Sequence, residues 1–133
     1  MILPVTAVYA SVCAILLIIL SYRVTSFRRR YKQGLGVNED RDFEAAVRTQ
    51  ANFTEYAPMA LILLALGELN GVAVGWIHGL GLMFVLGRIL HAWGMVQGRG
   101  GAHMGRFYGT ILSWLALLSL AVAVLLNVVL SNV

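Results

Sequence analysis

An arginine, an amide and a carboxylate stand together in one short run, Arg48-Thr49-Gln50-Ala51-Asn52-Phe53-Thr54-Glu55-Tyr56-Ala57-Pro58. At about 100° per residue, Arg48, Asn52, Glu55 and Met59 fall within a narrow arc of one helix face. Further along, Arg88, His91 and Met95 recur at spacings of three and four and so share a face of another helix. Arg106, beside Tyr108, opens the last apolar run, and Arg23, Arg28, Arg29 and Arg30 close the first. Such a set suits a small ligand with two carboxylates and one ammonium: arginines clamp the carboxylates and Glu55 takes the ammonium. An arginine as deep in an apolar segment as Arg88 needs a counter-charge, and Glu55 is the natural partner. Plainer roles compete for each residue. Arg88 with Glu55 could be a structural ion pair, His91 a satisfied core histidine, and Arg48, Arg106 and the Arg23–Arg30 group anchors to lipid headgroups. One histidine on this face, with no cysteine or second histidine nearby, makes no metal site.

The elements that must position these residues are read from hydropathy. The chain is 59% hydrophobic and 12% charged, with a mean hydropathy of +0.80, against about 25% charged in soluble domains. At 133 residues it is expected to form one domain, 1–133. Four apolar stretches, about 3–22, 51–70, 76–96 and 107–130, predict an all-α integral membrane four-helix bundle. The uncharged part of the second, from Tyr56 to Gly67, is only 12 residues long. If that helix spans, Asn52 and Glu55 lie inside the membrane boundary, where polar groups face a cavity or a partner. The first stretch lacks a basic leader and a small-residue cleavage site, and is therefore taken as a span.

Every lysine and arginine except Arg88 lies in or beside the loops after the first and third spans. The positive-inside rule puts those loops in the cytoplasm, and both termini and the 70–75 turn on the other side. The same topology accounts for the net charge of +4 without invoking nucleic acid. Cys13 is the sole cysteine, which excludes an internal disulfide and paired-cysteine redox chemistry. Gly34 and Gly36 are expected to stop the first helix. Asp40 is expected to cap a second that runs to about Leu69, with a kink at Pro58 beside the polar cluster. Glycines 75 and 79, and 87 and 94, offer flat surfaces for close helix contact.

The segment RTQANFTEYAP resembles the signature of the membrane-associated proteins in eicosanoid and glutathione metabolism (MAPEG), and Gly87-Arg88-Ile89-Leu90-His91 is similar to the third span of its prostaglandin E synthase branch. The likeness extends over the whole chain, from the basic loop after span one to the arginine opening span four. It implies a homotrimer in the inner membrane, with three sites for glutathione, or another low-molecular-weight thiol, between neighbouring subunits. By position, Arg48, Asn52, Glu55 and Tyr56 would hold the tripeptide, with Gln50, His91 and Arg88 close by and Arg23 or Arg28 contributing from the end of span one. Arg106 would match the arginine that stabilises the thiolate. Met95 stands where several animal synthases carry tyrosine, which points away from their eicosanoid reactions.

The physical chemistry agrees with that implication. A free thiol of pKa about 8.5 is mostly protonated at neutral pH, yet the thiolate is the nucleophile. A guanidinium in a partly dry site favours the thiolate and does not itself lose its proton. The expected activity is a glutathione-dependent transferase or peroxidase acting on lipophilic electrophiles that arrive from the bilayer. A non-catalytic binder of the same fold is the alternative. A small proton-coupled exporter built around Glu55 is a third, disfavoured because an arginine-rich mouth repels lipophilic cations.

Overall fold

The computed structural model describes residues 1–131. Among them the chain forms four helices: α1 (Pro4–Tyr31), α2 (Arg41–Leu69), α3 (Val74–Gln97) and α4 (Met104–Ser131). The all-α four-helix bundle read from hydropathy is the observed architecture. Within the described residues α1, α3 and α4 are long and apolar enough to cross a membrane. The charged first half of α2 keeps it below that threshold. The carboxyl terminus, expected to share the side of the amino terminus, lies outside the described residues.

The helix ends are explained by local chemistry. Asp40 caps α2 by accepting the Asp42 N–H at 2.9 Å, and Asp42 and Glu44 sit favourably in its first turn. The helix then continues unbroken through Pro58 to Leu69. The end of α1 differs from expectation. It stops at Tyr31 with Lys32 in the left-handed region (φ 50°), before either glycine. Arg28 makes this possible: its guanidinium donates to the carbonyls of Gln33 and Gly36 at 3.3 and 3.1 Å, binding down the chain beyond the stop. The start of α1 has no cap of its own. Instead Glu68, at the end of α2, accepts the N–H groups of Val5 and Thr6 and the Thr6 hydroxyl at 2.7–2.9 Å. A carboxylate there meets the positive end of the helix dipole.

Close packing is concentrated between α3 and α4. A Cβ on Gly94 would run into the backbone of Gly105 and Arg106, and one on Gly109 into that of His91 and Gly87. Of the two expected glycine pairs, 87 and 94 make this seam. Gly75 and Gly79 meet nothing within 4 Å, because they lie on the outer side of α3. Gly81 instead receives the ring of Tyr9 from α1. The core is built from Phe53, Leu64, Ile77, Phe84 and Leu120. α1 rests on α2 and α3 and makes no close approach to α4.

Candidate functional site

The polar face of α2 is the starting point. Arg41, Ala45, Arg48 and Asn52 follow one another at spacings of three or four residues and, with Glu44 beside Ala45, line one side of a hollow of about 180 Å³. His91 and Met95 of α3, Arg99 and Gly100 of the following loop, and Arg106 of α4 close it. Four arginines and one glutamate line the space; Arg48 and Arg99 also meet Glu55 and Asp42, and the balance stays positive, a setting for anionic groups.

The loop between α3 and α4 is fastened over α2 by its own residues. Arg99 donates to Asp42 at 2.9 Å, and that bond holds the Arg99 guanidinium more firmly in its charged form. Gly100 has φ of 78°, a conformation suited to glycine, and lies against Ala45. Its carbonyl accepts from Arg106 at 2.6 Å. His103 accepts the Gly105 N–H at 3.0 Å and so caps the start of α4. With Gly94 packed against the Arg106 backbone, the guanidinium is set at the rim of the hollow opposite Arg48.

The interior of the cluster departs from the expected Arg88–Glu55 ion pair. Arg88 is only 2% exposed and takes neutral partners: it donates through Nη1 to Asn52 at 2.7 Å and through Nε to Ser113 at 2.8 Å, and it lies 4.9 Å from the centre of the Tyr56 ring. Glu55 remains half exposed. It pairs with Arg48 at 3.7 Å and accepts from the Asn52 amide at 3.5 Å. The physical reason is desolvation. Burying Glu55 beside Arg88 would strip water from two ions, whereas an amide, a hydroxyl and an aromatic face accommodate the guanidinium without that second penalty. Tyr56 is fixed in turn by the Trp114 indole N–H, which donates to its hydroxyl at 3.0 Å.

Arg48, Asn52, His91 and Arg106 thus line one space, with Glu55 at its edge and Arg88 and Tyr56 supporting it. Three expected residues lie elsewhere within the chain. Gln50 donates to Ser21 of α1 at 3.3 Å, Arg23 lines an apolar groove between α1 and α3, and Arg28 holds the turn after α1. Arg41, Glu44 and Arg99 were missed. The first two could have been found by extending the Arg48–Asn52 stripe back by one and two turns. Arg99 gave no such signal, since only the fold brings its loop over α2.

The profile described as MAPEG family matches residues 6–126. The inner membrane protein YecN of Escherichia coli K12 is 32% identical over 90 residues, which is 68% of this chain and 69% of that protein. YecN of the E. coli O6:H1 strain CFT073 aligns to the same extent.

Proposed function

Because the chain belongs to the MAPEG family, we propose that it acts in the inner membrane as a glutathione-dependent transferase or peroxidase on lipophilic electrophiles. Arg106 stabilises the thiolate; Arg48, Asn52, Glu55 and His91 hold the thiol-bearing peptide, and Tyr56 and Arg88 support them. The observation that carries this reading is the shared hollow lined by Arg48, Asn52, His91 and Arg106 from three helices. In conjugation the thiol releases its proton to water. The sulfur lone pair then forms a bond to the electrophilic carbon, and the leaving group departs with its electron pair.

The hollow also favours assembly into the trimer that the family resemblance implies. Small-ligand cavities usually measure about 300–1,000 Å³, so 180 Å³ is part of a site rather than a whole one. Glu55 and Arg48 keep 53% and 58% of their side chains exposed, and a carboxylate at membrane depth calls for cover. Gln50 and Arg28 face α1 or the turn after it, so they reach a ligand only by serving the hollow of a neighbouring chain.

Ultraviolet difference absorbance tests the proposal. Glutathione added to the purified protein should give a thiolate band, and Arg106→Ala should abolish it; no band with the unmutated protein would overturn the reading. Arg106 is tied to the Gly100 carbonyl, an arrangement equally suited to gripping a peptide without activating it. A binder of that kind would show heat protection by glutathione but no turnover of chlorodinitrobenzene.

A further inference from the structure

A second hollow, larger and opposite in character, opens between α1 and α3. It measures about 650 Å³, within the range of small-ligand sites, and its walls are apolar: Leu16, Ile19 and Leu20 on one side, Ile89, Trp93 and Val96 on the other. Three arginines nevertheless line it, Arg23, Arg30 and Arg88, and no carboxylate does. Two of these carry a buried nitrogen without an acceptor among the described residues, Nη1 of Arg23 and Nη2 of Arg88. Arg88 has satisfied Nε and Nη1 on Ser113 and Asn52. Its remaining nitrogen sits in a residue 98% buried, on the wall of a greasy groove. An unpaired charged donor in such a place is costly, and the groove that Arg88 lines is the neighbouring space able to hold an acceptor for it.

The two donors stand at different depths. α1 and α3 run in parallel, with Tyr9 seated on Gly81. Counted from that contact, Arg88 lies level with about residue 16 of α1. The backbone of Arg23 is then roughly 10 Å nearer the basic ends of the helices, at 1.5 Å per residue. A phospholipid presents acceptors in the same order, a phosphodiester at the headgroup and ester carbonyls below it, with acyl chains beneath. We propose that this groove is a binding site for one anionic phospholipid of the leaflet on the arginine-rich side. Arg23 and Arg30 take the phosphate, Arg88 takes an ester carbonyl, and an acyl chain lies along Leu16, Leu20 and Ile89. A zwitterionic headgroup finds no acceptor for its ammonium here. A free fatty acid supplies acceptors at one level only, and inorganic phosphate supplies no chain.

The inference is independent of the thiol chemistry and is tested separately. The protein, stripped of lipid by extended washing in a mild non-ionic detergent, is offered phosphatidylglycerol, phosphatidylethanolamine, oleate or inorganic phosphate. Native mass spectrometry counts the retained molecules, and thermal unfolding reads the stabilisation. Phosphatidylglycerol should be retained at one per chain, in preference to the other three, and should raise the melting midpoint. Arg23→Gln should weaken retention about fivefold, as expected for losing one cationic contact to an anionic lipid. Ala92→Phe, which fills the groove while leaving all three arginines in place, should prevent retention without the fold depending on Arg88. Equal retention of phosphatidylethanolamine or oleate, or full retention by both variants, would overturn the proposal.

Discussion

Arg88 owes its place to neutral partners. Its charge is shared with an amide, a hydroxyl and an aromatic face, and Glu55 reaches it only through Asn52. Removing the amide should therefore matter more to the fold than removing the carboxylate. Asn52→Ala is expected to destabilise the protein by about 1–3 kcal/mol, the cost of leaving a buried charged donor without its acceptor. Glu55→Gln, which breaks an exposed pair with Arg48, should change stability by at most about 1 kcal/mol while weakening retention of glutathione. Thermal unfolding in detergent with and without the thiol separates the two effects. The sequence reading paired Arg88 with Glu55 because opposite charges are visible in a sequence. Which of two polar residues three positions apart turns toward α3 is settled by packing, and no spacing rule reports it.

One of the helices is closed by a cap borrowed from another. Glu68 closes α1 from the end of α2, so Glu68→Ala should lower stability by about 1 kcal/mol, comparable to the loss of a native helix cap, and hydrogen exchange should quicken first at Val5 and Thr6. The α3–α4 seam gives a sharper contrast. Gly94→Ala would force Cβ into the Arg106 backbone and should cost about 1–3 kcal/mol or more, whereas Gly79→Ala, with open space around it, should be neutral or slightly stabilising. At the start of α2 the Asp40 carboxyl is held below its ordinary range, first by the Tyr31 hydroxyl and then by the Asp42 N–H. Since the folded value is depressed, this support is present above the ordinary carboxylate pKa of about 3.9 and is lost as pH falls through the lowered value. In Tyr31→Phe an NMR titration should find the Asp40 midpoint moved back up. The Asp40 cap was legible because capping is a local rule. The end of α1 was not, since Arg28 closes it by reaching forward to residues beyond the helix, and the choice between the glycine pairs depended on which face of α3 met α4.

For the molecule as a whole, the four helices could be read from hydropathy, though only α1, α3 and α4 are long and apolar enough to cross a membrane where four spans were expected; one side of the hollow could be read from the stripe on α2. The other side rests on a loop fastened by Arg99 and on α4, contacts that join distant parts of the chain. If the hollow is completed by neighbours, cross-linking in native membranes should capture a three-chain species, and substitutions at Gln50 should weaken thiol binding despite its distance from Arg106. The glycine seam has a mechanical corollary. Joined backbone to backbone, α3 and α4 behave as a single stiff plank, while α1 and α2 lean on it from one side. Two latches hold α2 to that plank at the hollow: Arg99 with Asp42 at the watery rim, and Arg88 with Asn52 in the greasy depth. Undoing the outer latch alone, by Asp42→Asn, should let thiols come and go faster while leaving the melting temperature nearly unchanged. On that expectation, access from water and the firmness of the frame are governed by separate contacts.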